Sequence, residues 1–508
     1  NAALSAAEQG LRVCLFEQRP WLGGHDDWRV SDFEGQALYQ RARELAAAVE
    51  ADDRIRVLTH APVNGIWGVN LITGFQVGNP GDYYTERYYE CRAITVVVAS
   101  GCIERPLLCN NNDRPGVMQV NAAVRLAHTY GISPGRQAVF SVGDDLGLEG
   151  ALDLHRLGIE VPVVADARIK GHNQQLVSGL EAAGIEFLPG WAASDVKGSK
   201  KVKAVTLGQR DGSSSRDFSC DLFAASAGLQ SVIGPLSTAK AKFRFCTDTG
   251  MFQPSCLPER IFAAGRMLAY ANPGSIEASG RLAGLEAAAA CGADVRAKLG
   301  TAQECLSSLP GKAQGCDLVH GPDLGTGNKA FICFDGDGTY KNAVQCAEQG
   351  FDVPELAKRF GGFGLGPGQY QAPGQNLAMV MSDITGAPLQ ETLGTTVRPP
   401  LVAPTLATYT GPRHSIYKQT PLHRDQAARG GIFRNAGVWR RARYFSEDLD
   451  CKAEIRNVRE NVGLLDGSTL GKFRLYGPDA LKALQRVYIS NMEKTPLGRC
   501  KYSAMCND

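Results

Sequence analysis

The stretch that decides the fold comes first: NAALSAAEQGLRVCLFEQRPWLGG, residues 1–24. Ala2, Ala3, Leu4, Ala6 and Ala7 read as a small-residue helix ended by Gly10. Residues 11–16 are a short apolar strand, closed by Glu17 and followed by Gly23 and Gly24. Helix, strand, acid and glycine pair in that order form the second half of a dinucleotide-binding βαβ unit. In such a unit a glycine-rich turn lets backbone and helix N-terminus approach a pyrophosphate. An acid ~20 residues later takes the ribose hydroxyls. Glu17 fills that place, and counting back ~20 residues puts the glycine turn at or just before Asn1. The chain is therefore expected to be a fragment that lacks the first half-unit. The alternative is that Glu17 is an ordinary charged residue after a strand.

The following segments extend the pattern. A helix is expected over 39–49, with Leu45, Ala48 and Val49 on one face, then short strands over 54–58, 65–69 and 74–78. CRAITVVVASGCIERPL (91–107) holds a β-branched run at 95–99, as a strand buried on both faces should. It ends in Ser100 and Gly101, small residues that admit a ligand to the backbone. RQAVFSVGDDLGLEGALDLHRLGIEVPVVADAR (136–168) repeats the βαβ shape: strand 138–142, then Gly143, Gly147 and Gly150, a helix, and strand 161–165 ended by Asp166. Its spacing is GxxxGxxG rather than GxGxxG, and Asp144 and Asp145 would repel a phosphate. A scaffold role is expected there, with dinucleotide binding as the alternative. CDLFAASAG (220–228) is a third buried strand, and residues 259–290 read as strand, Gly265 and Arg266, loop and small-faced helix.

These units resemble the disulfide-reductase type of flavoprotein, with two dinucleotide-binding domains. In that fold the closing segment is usually Gly-Asp, the acid meeting a ribityl or ribose oxygen. Gly265-Arg266 in its place favours another occupant, NAD. Residues 292–330 read as a linker. FICFDGDGTYKNAVQCAEQGFDVPELAKRFGGFGLGPGQ (331–369) resembles a small iron–sulfur domain with a CxC…GxGxCQ pattern. Cys333 alone stays in register, with Asp335 and Gly368 where thiolates should stand. A cluster needs four thiolates, so a metal-free helical relic is expected. Residues 390–430 form a proline-rich connector, in which His414 and His423 read as surface residues. Beyond it lie a helix at 454–461, a strand at 471–476 and a helix start at Gly477-Pro478-Asp479.

Composition limits the function. The 508 residues suffice for about three domains, and a net charge of +2 points to neither nucleic acid nor an acidic membrane surface. There is no apolar run of ~18 residues for a membrane span. The 15 cysteines are scattered without a CxxC pair, which fits reduced thiols in a cytoplasmic enzyme. No Ser-His-Asp, HExxH or paired-carboxylate constellation stands out, so chemistry must come from cofactors.

ERPLLCNNNDRPGVM (104–118), GTTVRPP (394–400), WRRARYF (439–445), VGLLDGSTLGKFRLYGPDA (462–480) and GRCKYSAMCND (498–508) occur in this order. Together they resemble the alpha subunits of heterotetrameric sarcosine oxidases over nearly the whole chain. The last part resembles the glycine-cleavage aminomethyltransferase. The resemblance implies an α/β chain: a two-dinucleotide, disulfide-reductase-like Rossmann domain (1–300), a linker and degenerate helical module (301–390), and a connector with the first part of an α+β aminomethyltransferase domain (391–508).

It also implies oxidative demethylation of sarcosine to glycine, with peroxide and either formaldehyde or 5,10-methylenetetrahydrofolate as products. NAD would sit on this chain, FMN at its interface with the beta subunit, FAD on the beta subunit and tetrahydrofolate in the C-terminal domain. Gamma and delta subunits complete the implied assembly. Glu17, Gly23, Gly24, Ser100 and Gly101 would line the NAD, with Gly265 and Arg266 closing its site, and Leu470 and Tyr502 would line the folate pocket. Core packing is the alternative for Leu470 and Tyr502. The competing functions are a subunit of an N-methylglutamate, dimethylglycine or opine dehydrogenase, and a non-catalytic scaffold.

Overall fold

The computed structural model describes residues 1–312, 315–316, 320–322, 324, 329–369, 371–389, 397–410, 417–446, 448 and 451–506. Residues 1–410 and 411–508 form two compact bodies, taken separately below; the two dinucleotide-type units described first both lie within residues 1–410.

The small residues of the opening stretch serve close packing. The helix Ala2–Ala7 lies against the helix Pro273–Ala290, where a Cβ on Gly284 would come 2.5 Å from the Ala2 carbonyl oxygen. Ser5 Oγ donates to the Arg281 carbonyl at 3.0 Å across this contact. Val13–Phe16 pairs in parallel with Ile55–Leu58, and the helix Leu38–Ala51 connects the two. Val96–Val98 pairs in parallel with Ile261–Ala263. Between these pairs in sequence runs an antiparallel sheet, Val63–Trp67, Leu71–Val77 and Glu86–Arg92. Its first two strands lie earlier than the expected 65–69 and 74–78, because Val69 adopts φ 57° in the turn Gly68–Asn70. The third strand was not foreseen.

The second unit repeats the plan. Five parallel strands run in the order Val117–Gln119, Leu222–Ala225, Gln137–Val142, Glu160–Asp166, Glu186–Pro189. The antiparallel sheet here is Trp191–Lys197, Ala204–Gln209 and Ser215–Ser219. Alternation along the parallel strands splits the core between two faces. Phe140 and Val164 pack with Leu148 and Leu154 of the helix Asp145–Arg156, while Val139, Val163 and Phe223 pack with Leu207.

The stretch 292–330 departs from the linker expectation. It contains the helix Arg296–Ser308, because Val295 and Ala302 bury against Leu285. The helices Tyr340–Glu348, Pro354–Gly361 and Pro373–Thr385 form the expected small module around Ile332, Cys346, Phe363 and Leu377. Thr339 and Asn342 make a capping box at the first of them. Gln375 Nε2 donates to the Gly250 carbonyl at 2.6 Å, anchoring the module to the strand-rich part.

In the C-terminal unit, Trp439–Tyr444 lies between Lys418–Gln419 and Ile432–Ala436. The helices are His423–Ala428, Cys451–Glu460 and Ala480–Val487. The expected strand 471–476 is not formed: its residues find no ladder partner among the described residues, and Phe473 and Tyr476 are exposed. A strand persists only where its backbone groups are paired. Near Tyr502 the pairing is an isolated bridge between Tyr488 and Met505.

Candidate functional site

Glu17 stands at the end of Val13–Phe16, and its Oε1 accepts from the Arg19 backbone N–H at 2.8 Å. Burial pushes its pKa up, against the nearby Arg19. Arg19 stacks over Trp28 at 4.7 Å and donates from Nη1 to the Gly24 carbonyl at 2.6 Å. That bond ties the acid to the glycine pair, where Gly23 and Gly24 adopt φ 124° and 59°. The turn Gly24–Trp28 brings Asp26 to Arg266, Nη2 to Oδ1 at 2.9 Å. Asp26 also accepts from Arg29 at 3.0 Å, and Arg29 in turn meets Glu149 at 2.6 Å. Burial works against the Asp26 charge, but Arg266 and Arg29 together hold its pKa below the ordinary value. His25 is held neutral, its pKa brought down to about 4 by burial and then by Arg266 and Arg19.

Gly265, at φ 78°, donates its N–H to Ser279 Oγ at 2.7 Å and turns Arg266 inward. Arg266 is buried, and its Nη1 has no hydrogen-bond partner among the described residues. Ser100 Oγ donates to the Val232 carbonyl at 2.7 Å and lies 3.8 Å from Met267 Sδ. Gly101, at φ 70°, has open space where a Cβ would stand, as does Gly24. Contacts thus link the glycine pair through Asp26 to Arg266, the segment at Ser100 to the neighbouring Met267, and Glu17 through Arg19 to Gly24. Bare backbone beside a half-satisfied buried guanidinium fits a ligand with hydrogen-bond acceptors. Asp26, His25 and the Arg29–Glu149 pair were not singled out from sequence. The signal for them is the run HDDWR (25–29) directly after the glycine pair.

The second unit is built differently at the equivalent end. Asp144 caps its own helix, accepting from the Gly147 N–H at 2.9 Å, so a carboxylate stands where a phosphate would. Asp144 and Glu104 are both buried, and burial followed by the Asp144 charge pushes Glu104 up to about 8. Asp166, the acid at the end of Glu160–Asp166, is fully buried and bound by Arg168 at 2.8 Å. The glycines serve packing: a Cβ on Gly147 would stand 2.5 Å from Val142 Cβ, and one on Gly143 would stand 2.9 Å from Cys316 Cβ. Cys316 packs with Ala167 and Ala192 at the same strand ends. The chain itself fills the crevice.

In the helical module, Cys333 Sγ accepts from the Gly364 N–H at 3.1 Å and Asp335 Oδ2 from the Gly368 N–H at 2.7 Å. The positions of the sequence pattern do meet, but with one thiol and a carboxylate taken by backbone. This donor set does not fit an iron–sulfur cluster. No group of three His, Cys, Asp or Glu among the described residues is disposed to hold a metal ion. In the C-terminal unit, Leu470 and Tyr502 are exposed, so core packing does not account for them in this chain. His423 packs against Phe433 at 4.2 Å, and His414 lies outside the described residues.

Residues 327–412 match the sarcosine oxidase A3 domain, and residues 422–508 match the GCVT N-terminal domain. Over 537 residues the chain is 28% identical to the sarcosine oxidase subunit alpha of Corynebacterium sp. (strain P-1), covering 99% of this chain and 54% of that one. The chain is similar to sarcosine oxidase alpha subunits along its whole length. A second alpha subunit, from Rhizobium meliloti (strain 1021), is 26% identical, covering 100% of this chain and 52% of the relative. The chain spans about half the length of the curated relatives it matches. Among solved structures, L-proline dehydrogenase from P. horikoshii shares the fold, with a TM-score of 0.64 at 21% identity, covering 80% of this chain and 77% of that one. The chain is mixed α/β, shares the fold of that dehydrogenase over most of its length, and matches the GCVT N-terminal domain at its C-terminal end. No described helix is long and apolar enough to cross a membrane.

Proposed function

We propose that this chain is the dinucleotide-holding part of the alpha subunit of a cytoplasmic sarcosine oxidase. The assembly would include beta, gamma and delta subunits and convert sarcosine to glycine with oxygen as acceptor. The products would be peroxide and formaldehyde or, when folate is present, 5,10-methylenetetrahydrofolate. The observation that carries the reading is the first-unit site. Its bare backbone at Gly24 and Gly101 and the buried Arg266 Nη1, which lacks a partner among the described residues, fit a dinucleotide, in a chain similar to sarcosine oxidase alpha subunits along its whole length.

NAD is the proposed occupant. Arg266 stands where an acid would meet a flavin's ribityl oxygen, and Glu17 suits ribose hydroxyls. When bound, the flavins supply hydride and electron acceptance: FAD on the beta subunit and FMN at the interface. This chain's residues hold and orient rather than react. Arg19 fixes Glu17 against Gly24, Asp26 orients Arg266, and Arg29 links that turn to Glu149. The domain division proposed is 1–300, 301–390 and 391–508, with folate in the last, near Leu470 and Tyr502.

The test is to co-express the chain's full-length gene with its partner subunits, release bound ligands by denaturation and identify them by mass spectrometry. Sarcosine-dependent peroxide formation is measured on the same complex. NAD from the alpha subunit with sarcosine turnover is the expected result. Stoichiometric FAD from the alpha subunit contradicts the NAD assignment. Turnover of N-methylglutamate, dimethylglycine or an opine instead of sarcosine contradicts the substrate.

A further inference from the structure

Arg266 is a buried cation with one amino group bonded and the other unpartnered. Its Nη2 is committed to Asp26, while Nη1 has no partner among the described residues and is shielded from solvent. Leaving a buried charged donor unmade is unfavourable, so the site is built to receive an acceptor at that atom. Asp26 cannot supply a full counter-charge, because it is shared with Arg29. His25, in the same turn, feels the positive field of Arg266 and Arg19. Gly24 and Gly101 leave open space where any other residue would place a Cβ. From Glu17 the chain of contacts runs through Arg19 to Gly24, and from there through Asp26 to Arg266. A dinucleotide whose ribose hydroxyls meet Glu17 extends its phosphates along that path.

We infer that Arg266 Nη1, on the guanidinium that Asp26 holds against the His25 turn, is the side-chain donor to the diphosphate of the bound dinucleotide. This rests on the dinucleotide reading above but not on the choice of NAD over FAD, which share the diphosphate. Guanidinium suits it by planar geometry and permanent charge. Asp26 is then a positioning residue that aims the fork.

The experiment is calorimetric titration of the ligand-free full chain with NAD, ADP and adenosine. Arg266→Met should weaken ADP and NAD ten- to hundredfold and change adenosine less than twofold. Arg266→Lys should recover part of the ADP affinity, since the charge remains. Should Arg266→Met fail to fold, the double variant Asp26→Asn/Arg266→Met, which leaves no lone buried charge, is read in the same way. Unchanged ADP affinity, or an equal loss for ADP and adenosine, overturns the inference while leaving the dinucleotide reading standing. Absence of NAD and ADP binding by the unaltered chain overturns both.

Discussion

In the first unit the strand Val13–Phe16 ends in Glu17, which is joined through Arg19 to Gly24, and Asp26 of the same turn holds a guanidinium whose Nη1 finds no partner among the described residues. In the second, Glu160–Asp166 ends in an acid already taken by Arg168, and the helix beside it is capped by its own Asp144. Both units have parallel strands, a crossover helix and a three-stranded antiparallel sheet. The difference lies in what satisfies the polar groups at the strand ends. At the first end Arg266 Nη1 finds no partner among the described residues, which the proposed reading assigns to a ligand; at the second, Asp166 is bound by Arg168 and Asp144 Oδ1 by the Gly147 N–H, and only Asp144 Oδ2 is left over. A βαβ unit therefore does not by itself make a nucleotide site; function belongs to the residues at its mouth.

The largest effect expected from this contrast is a pH dependence seated in the second unit. An unfolded glutamate ionises near about 4.3, whereas Glu104 in the folded chain keeps its proton to about pH 8. Between those values the folded state binds more protons, so stability falls as pH rises, by up to about 1.4 kcal/mol per pH unit, and levels off above. Denaturant melts from pH 5 to 9 should show this slope, and Glu104→Gln should flatten it. A slope that survives in Glu104→Gln would place its origin elsewhere.

Next in size is the ion pair joining the two units. Arg29→Met strands the partly buried Glu149 and leaves Asp26 to Arg266 alone, and should cost roughly 2–3 kcal/mol, below the range for fully buried pairs. Arg29→Met/Glu149→Leu should regain part of it. Urea melts of the single and double variants check this, and equal losses in both would mean the pair is not coupled.

Glycine substitutions should separate the two mouths. Gly147→Ala drives a Cβ into Val142 and should lower stability by about 1–3 kcal/mol with NAD affinity unchanged. Gly24→Ala meets no atom but adopts a left-handed backbone, so it should cost about 1 kcal/mol and also weaken NAD. Thermal melts paired with NAD titration read both. A loss of NAD affinity in Gly147→Ala would bring the second unit back as a ligand site.

The smallest stability effect belongs to the C-terminal unit. Tyr502 is exposed, so Tyr502→Ala should change stability by less than about 0.5 kcal/mol. If its ring stacks on folate in the full complex, folate affinity should fall by up to about tenfold. An unchanged folate titration removes it from the site.

Much of the fold was readable where hydrophobic pattern is local. The β-branched run at 95–99, the strand Gln137–Val142 and the helix Leu38–Ala51 carry their own periodicity. Glu86–Arg92 was not, because its polar alternation gains meaning only from pairing with Leu71–Val77. The helix Arg296–Ser308 depends on a distant contact with Leu285. Glu17 and the glycines could be read from spacing. Asp26, Arg29 and Glu149 could not, since the last two lie 120 residues apart in sequence. Cys316 gave no local sign that it packs over the second crevice.

The central claim is that this chain has one working dinucleotide mouth, and native mass spectrometry of the ligand-free full chain titrated with NAD tests it most directly. The account predicts a single NAD adduct per chain that saturates without a second, and that Arg266→Met depletes while Gly147→Ala does not. Two adducts of similar affinity, or one that Arg266→Met leaves untouched, would contradict it.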